Sequence, residues 1–319
     1  MNRTRAIVVI AVALIASILV YNYLATPKVL TGTITVSGAF ALYPMMVKWA
    51  EEYEKVNPRV KVEISAGGAG KGMADALAGL VDIGMISREI QPAEVQRGAF
   101  FVAVVKDAVV AAVNIDNPVL AALLAKGVQR SILMNIYIYG NITTWGEVVG
   151  RPEITEPIHI YTRSDSCGAA DTWGLYLGGH KQDDLNGVGV YGDPGIAEAV
   201  KNDRLGISYN NLNYAYDNKT KRPVEGLAVV PLDINQNGRV DPNEDFYETK
   251  DKLVQAIATG AYPSPPARLL YLVTKGKFTG IVKEFVKWIL GDGQKYALET
   301  GYVPLSPKTL AEQLTKLEG

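Results

Sequence analysis

The sequence predicts an α/β fold, long enough for two domains, behind an N-terminal membrane-spanning helix. Three observations support this prediction: strand and helix patterns alternate from residue 31 onward, the chain has 319 residues, and its first 25 residues include a long apolar run. Alternating strands and helices are typical of largely parallel sheets covered by helices. A chain of this length with 48% hydrophobic and 20% charged residues fits two ordinary globular domains.

The N-terminal segment predicts the compartment. Arg3 and Arg5 precede the apolar run, and Pro27 ends any helix there. A helix over residues 6–25 would be about 30 Å long, which is enough to cross a bilayer. Because positive residues near a membrane span stay on the cytoplasmic side, we expect the rest of the chain to be exported.

Residues 1–30 are predicted to be either a retained anchor or a cleaved signal peptide, and we favour the anchor. An Ala-x-Ala cleavage site is missing, because Tyr23 stands at the −3 position of a cut after Ala25. No cysteine follows the run, which excludes a lipoprotein. We therefore expect a cell-membrane protein with one N-terminal anchor and an extracytoplasmic domain, or an exported protein if the segment is cleaved.

Composition narrows the function classes. The net charge of −1, without a basic run interleaved with aromatics, argues against a nucleic-acid partner. The single cysteine, Cys167, excludes an intramolecular disulfide. Two histidines leave little room for zinc or histidine-based catalysis. We expect a monomer.

The N-terminal elements are predicted from residue alternation and amphipathicity. Thr33 to Val36 predicts a strand, and residues 44–56 predict an amphipathic helix. In the segment 60–64 valine and isoleucine alternate with charged residues, which indicates a second strand. A helix over 73–80 and a short strand at 82–85 follow. The long apolar strand pattern at 101–113 is interrupted by Lys106 and Asp107.

The remaining elements continue the alternation. Helices are predicted over 118–127, 128–138, 171–177, 195–203, 250–259, 280–290 and 293–300. Strands are predicted at 158–161, 206–209, 227–232 and 269–274.

Three strand-to-helix loops, at 37–42, 66–72 and 163–169, look suited to binding an anion. Ligands of such sheets lie beyond the carboxyl ends of strands, at helix N-termini that expose unpaired N–H groups and a partial positive charge. Arg163 adds a planar fork that matches two oxygens. Each loop alone is more often only a tight turn, and residues 66–72 match neither the Walker A nor the Rossmann spacing. The prediction rests on three loops in the same structural position.

The order and spacing of these motifs resemble the phosphate-binding proteins of phosphate ABC transporters. The motifs are SGAFALYP at 37–44, GGAGKG at 67–72, VDIGMISR at 81–88 and RSDSCGA at 163–169, and the resemblance covers residues 31–305. It implies an α/β two-domain clamshell of the type II periplasmic-binding-protein kind, which holds phosphate in its cleft and passes it to an ABC transporter permease. We expect domain I at 31–113 plus 269–319 and domain II at 114–268, with crossings near Asn114 and Arg268.

The resemblance also implies which residues bind the anion, through main-chain N–H groups and polar side chains. They are Phe40, Ala41, Leu42, Ala69, Gly70, Asp82, Ser87, Arg88, Arg163, Cys167, Gly168 and Ala169. The family usually places hydroxyl side chains at position 41 or 42 and at 69, 167 and 169, where this chain has none. Main-chain donors, Arg163, Arg88 and the serines at 164 or 166 would have to replace up to four hydroxyl donors.

Asp82 is expected to distinguish among oxyanions, because it matches a family aspartate that accepts a hydrogen bond from a protonated phosphate oxygen. A buried carboxylate repels a dianion unless a proton lies between them. Phosphate carries that proton at neutral pH, whereas sulfate, molybdate and tungstate do not. The alternatives are that Asp82 caps a turn or pairs with Arg88, and that the ligand is another tetrahedral oxyanion.

Residues 233–244 match the twelve-residue calcium loop of EF-type sites, with Gly238 at the sixth position. The expected Ca²⁺ ligands are Asp233, Asn235, Asn237, the carbonyl of Arg239, Asp241 and Glu244. Because the preceding segment is predicted to be a strand, we expect one structural Ca²⁺ instead of a switching EF-hand pair. The alternative is an Asx-rich turn without metal.

Two other functions remain open on the sequence. An enzyme could use Cys167 as nucleophile, but only if His159 or His180 came within about 3 Å of it as a base; we expect no enzyme. The other is a phosphate-sensing surface protein with the same clamshell and no transporter.

Overall fold

The computed structural model describes residues 29–319. The predicted N-terminal membrane helix lies outside these residues. Within the described part, none of the helices combines the length and the apolar character that crossing a bilayer requires.

The first half of the described chain alternates strands and helices as predicted. Its strands are β1 (Gly32–Gly38), β2 (Val60–Ala66), β3 (Ile83–Ile86), β4 (Ala99–Asn114) and β5 (Val128–Gln129). Its helices are α1 (Tyr43–Val56), α2 (Ala69–Ala78), α3 (Pro92–Gln96), α4 (Leu120–Lys126), α5 (Arg130–Met134) and α6 (Trp145–Val149). A short 3₁₀ turn, Phe40–Leu42, precedes α1.

The second half continues in the same way. Its strands are β6 (His159–Arg163), β7 (Val188–Val190), β8 (Gly206–Asn211), β9 (Leu227–Val230), β10 (Leu232–Asp233), β11 (Ala267–Lys275) and β12 (Val303–Pro304). Its helices are α7 (Gly168–Tyr176), α8 (Gly192–Lys201), α9 (Leu212–Ala215), α10 (Lys250–Thr259), α11 (Gly280–Leu290) and α12 (Pro307–Glu318).

The strands form two sheet regions that share β4. In the first region β1 lies between β2 and β3, parallel to both, and β11 joins β3 antiparallel. In the second region β6 pairs with β7 and β8 in parallel, and β8 and β9 pair antiparallel with β4. Two core clusters follow this division: one packs around β1, β3 and β11, the other around the C-terminal half of β4, β8 and β9. The chain is thus a two-lobed α/β protein, as expected.

The first crossing between the lobes lies earlier than predicted. Residues 99–108 of β4 pair with β11, whereas Val109 onward pairs with β8 and β9. The first crossing is therefore near Ala108, not near Asn114. The sequence pattern missed it because β4 is one unbroken apolar strand that enters both cores. The second crossing is at Ala267 and Arg268, where β11 begins to pair with β4.

Two helix predictions also need correction. The single helix predicted over 128–138 is in fact β5, α5 and a π-turn at Asn135–Tyr139, because β5 pairs with the distant β10. The helix predicted over 293–300 is a 3₁₀ turn at Asp292–Tyr296. Both segments have a helical periodicity that tertiary contacts override.

Candidate functional site

The first two loops meet at the carboxyl ends of β1 and β2. The carbonyl of Gly38 accepts hydrogen bonds from the amides of Gly67 (2.9 Å) and Gly68 (3.1 Å). Gly38 has a φ of +133°, and a Cβ there would lie 2.9 Å from the Cα of Gly72. Glycine at 38 and 72 is therefore what allows the N-terminus of α2 to lie against the turn that precedes α1.

The third loop joins β6 to α7 in the other lobe, and Gln182 holds it in place. The Gln182 Nε2 donates to the carbonyl of Asp165 (2.7 Å), and its Oε1 accepts from the amide of Cys167 (2.9 Å). The Sγ of Cys167 in turn accepts from the amide of Ala170 (3.4 Å), so this thiol caps α7. Burial raises the pKa of Cys167 to about 12, although Arg163 opposes the rise.

The three loops converge across the two lobes, as the sequence predicted. The amide of Gly70 at the start of α2 donates to the carbonyl of Ser166 (3.0 Å) in the third loop. The Phe40 ring lies 5.5 Å from the guanidinium carbon of Arg163. Since these pairs join opposite lobes, the clamshell is closed.

Arg163 lies at the centre of this arrangement and is held by two carboxylates. Its Nε and Nη2 donate to the two oxygens of Asp165 at 2.8 and 2.6 Å, and its Nη1 donates to Oδ2 of Asp193 at 2.7 Å. All three side chains are at least 94% buried. Although burial alone would lower the pKa of Arg163, the charges of Asp193 and Asp165 raise it above its usual value.

This pairing limits what Arg163 can offer an anion. Three of its five N–H groups are used by the carboxylates, so two remain. Its positive charge is compensated by Asp165 and Asp193. An anion in this site would therefore depend chiefly on main-chain N–H donors, with Arg163 as a positioned but neutralised partner.

Not all of the predicted main-chain donors are free. The amide of Leu42 donates to the carbonyl of Ala39 (3.1 Å) inside the 3₁₀ turn, so it is engaged in this closed form, and its role in binding the anion stays a prediction. The Gly70 amide is engaged by Ser166 in this closed form. The other predicted amides lie in the first turn of a helical segment, where backbone N–H groups have no intrahelical partner. They belong to Phe40, Ala41, Ala69, Gly168 and Ala169.

Asp82 does not lie in the cleft, which corrects the role expected for it. Its Oδ2 accepts hydrogen bonds from the amide and the hydroxyl of Thr35, both at 2.8 Å. Asp82 precedes the first residue of β3, whereas the loops leave the carboxyl ends of the strands. At about 3.3 Å per residue, the length of β3 puts Asp82 more than 10 Å from that edge. The motif predicted the position of strand β3 correctly, but it did not indicate that the Asp82 carboxylate lies at the amino end of the strand, away from the loops.

Ser87 and Arg88 follow the carboxyl end of β3, and the structure separates their environments. Ser87 is buried against Gly168 of the third loop, at the position expected. Arg88 binds both oxygens of Glu94 (3.0 and 2.6 Å) and approaches Asp171 of α7 (3.5 Å). It lines a groove of about 1310 Å³ between the lobes, which Ser166 of the third loop also lines. In this closed form the Arg88 guanidinium is held in an ion pair, and its role as an anion ligand stays a prediction.

Four polar residues beside the site were missed by the sequence reasoning. Asp193 pairs with Arg163 and also accepts from Asn211, which in turn accepts from Arg268. Arg268 faces Asp107 across the paired strands β11 and β4. A charged residue inside an apolar strand was the available signal for Asp107. Asp193 gave no signal, because Gly-Asp-Pro is typical of any turn.

Neither histidine lies beside Cys167. His159 is exposed and pairs with Asp203 (2.7 Å), and His180 lies 3.5 Å from Asp184. The charges that act on the Cys167 thiol come from Arg163, Asp193 and Asp165. A protonated, buried thiol that caps a helix is not arranged as a nucleophile.

The predicted calcium loop turns around the carboxylates of its first and last residues, both of which are buried. Asp233 accepts from the amides of Asn237 (3.1 Å) and Gly238 (2.8 Å), and Glu244 accepts from the amides of Ile234 and Asn235. Gly238 has a φ of +82°, the conformation for which glycine is needed at the sixth position.

Asp241 and Arg239, at the ninth and seventh positions of the loop, form an ion pair on the outside of this turn. Asp241 accepts from the side-chain amides of Asn235 (2.8 Å) and Asn237 (2.7 Å), and its other oxygen lies 2.7 Å from the Nε of Arg239. Over residues 29–319, no three His, Cys, Asp or Glu side chains are grouped closely enough to hold a metal. The predicted ligands are thus gathered in one loop but bound to its own amides.

The segments beside the loop are as expected. The strand before it is present as β9 and β10. The helix after it, α10, begins at Lys250 as predicted, because the hydroxyl of Thr249 accepts from the amide of Lys252 and caps the helix there.

Three proteins of known name are similar to this chain in sequence over most of its length. The phosphate-binding protein PstS of Methanocaldococcus jannaschii is 29% identical, with 87% of this chain and 83% of its own covered. The protein SphX of Synechococcus elongatus is 29% identical, with 95% and 86% covered. The phosphate-binding protein PstS of Xylella fastidiosa is 27% identical, with 88% and 84% covered.

Solved structures share the two-lobed fold. A putative phosphate ABC transporter substrate-binding protein with bound phosphate, from Clostridium perfringens, superposes with a TM-score of 0.70 at 23% identity, covering 86% of this chain and 100% of that one. An ABC-type phosphate transport receptor from Vibrio cholerae superposes with a TM-score of 0.62 at 21% identity, covering 85% and 100%. The family model described as a PBP superfamily domain matches residues 25–293. With the closed two-lobed fold and this match over most of its length, the chain belongs to the PBP superfamily.

Proposed function

We propose that this protein is an extracytoplasmic solute-binding protein that captures inorganic phosphate for an ABC importer. The observation that carries the proposal is the convergence of three strand-to-helix loops, from both lobes, around Arg163. Relatives that are 27% and 29% identical over more than four fifths of both chains are phosphate-binding proteins called PstS, which favours phosphate as the ligand.

The closed geometry suits capture of an oxyanion. The N-termini of α2 and α7 face each other across the lobes, and each brings unpaired amides and a partial positive charge. Asp165 and Asp193 hold the Arg163 guanidinium rigidly, so little side-chain entropy is lost when an anion binds. Opening and closing of the lobes would admit and release the ligand without chemistry. The buried, protonated Cys167 supports a binding protein over an enzyme.

The same proposal places the protein at a membrane. The apolar run after Arg3 and Arg5 would anchor it, with the lobes outside the cytoplasm and an ABC permease as partner. Cell fractionation that found the protein in the cytoplasm would contradict this part of the proposal.

Calorimetric titration with phosphate, sulfate, molybdate and tungstate tests the ligand. We expect phosphate to bind more tightly than the other three anions. Tighter binding of sulfate or tungstate would instead identify a carrier of another tetrahedral oxyanion. A phosphate-sensing surface protein would bind phosphate equally well but would not stimulate uptake when its permease is reconstituted in vesicles.

We also propose that residues 233–244 bind one structural Ca²⁺. Five oxygen-bearing side chains stand at the spacing of an EF-type loop, and the sixth residue is a glycine in the left-handed conformation. Calcium at millimolar concentration should raise the melting temperature, and a chelator should reverse the increase. Asp241→Ala should abolish the calcium response. An unchanged melting temperature in calcium would contradict a metal site.

A further inference from the structure

A five-residue motif, Tyr-x-Asn-x-Thr, occurs twice within residues 29–319, at 139–143 and at 216–220. Its last three residues form the Asn-x-Thr pattern at which sugars are attached to the side-chain nitrogen of asparagine in exported proteins. A pattern this short also occurs by chance, and the two copies match the motif equally well. The surroundings of the two asparagines therefore decide whether either copy is a modification site.

The copy at 216–220 is enclosed by the fold. Tyr216 is fully buried, and its hydroxyl donates to the carbonyl of Tyr247 (2.8 Å). The Oδ1 of Asn218 accepts a hydrogen bond from the Nζ of Lys250 (2.6 Å), a lysine that is itself fully buried. Turning the Asn218 amide outward would take an acceptor away from this buried amine, which is costly inside a protein. This copy therefore has a structural role.

The copy at 139–143 lies on the surface of the second lobe. Asn141 is exposed, in the loop between the π-turn and α6, and its Nδ2 donates to the Oδ1 of Asn135 (3.3 Å) in a solvent-exposed hydrogen bond. Thr143 is exposed as well. Tyr139 is 55% exposed, and its ring stands perpendicular to that of His180, with 6.5 Å between the ring centres. An asparagine nitrogen and an aromatic ring are thus both accessible within three residues of chain.

This arrangement suits a sugar attached to Asn141. A pyranose ring has a face of C–H groups, which packs on the electron-rich face of an aromatic ring while the sugar hydroxyls stay in water. Tyr139 offers such a ring two residues before Asn141. Gly140 between them has a φ of +65°, so the chain turns at this point.

The loop is also remote from the converging anion loops. The carbonyl of Thr143 accepts from the amide of Ile158 (2.8 Å), which precedes β6, whereas Arg163 is the last residue of β6. At about 3.3 Å per residue, this strand places the loop roughly 16 Å from Arg163. A glycan there leaves the cleft accessible.

We propose that Asn141 carries an N-linked glycan and that its first sugar packs on the ring of Tyr139. This inference rests on the extracytoplasmic location in the proposed function. The donor is a sugar linked through phosphate to a membrane lipid, and a glycan transferase catalyses the step. The Nδ2 of Asn141 forms a bond to the anomeric carbon, and the bond from that carbon to the phosphate oxygen breaks. The lipid phosphate leaves, and Nδ2 gives up one of its two protons to a base of the transferase.

Peptide mass spectrometry of the full-length protein, purified from the cells that naturally make it, tests the attachment. Trypsin releases Asn141 in the peptide 131–151 and Asn218 in the peptide 205–219. We expect the first peptide to carry the added mass of a glycan in most molecules and the second to carry none. Asn141→Gln and Thr143→Ala should each abolish the added mass, whereas Thr143→Ser, which keeps the hydroxyl group, should retain it.

Thermal unfolding tests the contact with Tyr139. The glycosylated parent should melt about 2 °C above Asn141→Gln, and this difference should disappear in a Tyr139→Ala background in which the glycan is still attached. Tyr191→Ala is the matched control, because it removes another exposed tyrosine of the same lobe, beyond the carboxyl end of β7, and should keep the difference. An equal difference with and without Tyr139 would overturn the sugar–Tyr139 contact.

The attachment and the proposed function fail in different ways. An unmodified peptide 131–151, from protein that fractionates outside the cytoplasm, would overturn this inference and leave the proposed function intact. The same peptide from a protein found in the cytoplasm would overturn both. A glycan on Asn218 with Asn141 unmodified would overturn the choice between the two copies.

Discussion

Replacing Arg163 by alanine should lower the free energy of unfolding of the protein. The side chain makes three charge-assisted hydrogen bonds of 2.6–2.8 Å to Asp165 and Asp193, and all three residues are nearly excluded from solvent. Without Arg163, Asp165 keeps the Gly192 amide (3.0 Å) and Asp193 keeps Asn211, but two negative charges lose their cation.

The expected size follows from that arrangement. Removing one partner of a buried ion pair costs about 3–5 kcal/mol, chiefly because the other charge stays buried. The two carboxylates share one cation, so their costs do not add, and we expect Arg163→Ala to lose about 3–5 kcal/mol. Adding Asp193→Asn should recover part of the loss, since it removes one of the unpaired charges.

Urea denaturation followed by circular dichroism and by tryptophan fluorescence measures this loss, provided that the two curves coincide. Arg222→Ala is the control, because Arg222 pairs with Glu248 on the surface, where both side chains are at least half exposed. Exposed pairs contribute little, so its midpoint should not change. If Arg163→Ala unfolded at the same urea concentration as Arg222→Ala, the buried triad would not have the energetic role assigned to it.

Three further predictions concern closure, pH and the core. A Cβ at position 70 would lie 2.6 Å from the Cβ of Ser166, so Gly70→Ala should weaken phosphate binding in calorimetry, and Ser166→Gly should restore it; equal affinity of Gly70→Ala and the parent would contradict the closed contact. Burial lowers the pKa of Lys250 to about 7. Between pH 7 and 10 this lysine is therefore protonated in the unfolded state but not in the folded state, so the urea midpoint should rise with pH across that range. Lys250→Met should remove the rise, and a urea midpoint of the parent protein that does not change with pH would refute the prediction. Trp173 is fully buried, so Trp173→Ala should cost about 3–5 kcal/mol in urea unfolding, whereas Leu175→Ala, on the exposed side of the same helix, should cost little; similar losses would be inconsistent with the core described.

The sequence patterns predicted best those helices whose limits are set by residues within the helix itself. The helices α10 and α11 begin and end where predicted, because amphipathicity and end signals are contained within the segment. The helix α2 begins at Ala69, four residues before the predicted start. Its glycines at 70 and 72 lower helix propensity, but they are required there by contacts with Ser166 and Gly38, which are distant in sequence.

The candidate site was predicted as a set of loops more successfully than as a set of side chains. Strand-to-helix order is sufficient to bring the loops at 38, 68 and 166 together, since they all leave the carboxyl ends of strands. The direction and partner of a side chain depend on the other lobe. Arg163 was identified, whereas its neutralisation by Asp193 was not, and Asp82 was assigned to the wrong end of its strand.

The long strand β4 has a consequence for how the lobes move. Its Val109 amide donates to the carbonyl of Pro266 (3.2 Å), so the two chain crossings are hydrogen-bonded to each other. Opening of the two lobes then requires the hydrogen-bonded strands β4 and β11 to twist together, instead of rotation about two independent loops. In hydrogen–deuterium exchange, the Val109 amide should stay protected whether or not ligand is bound. The Gly70 amide, bonded across the lobes, should exchange each time the clamshell opens, and the ratio of the two exchange rates would measure how often that happens.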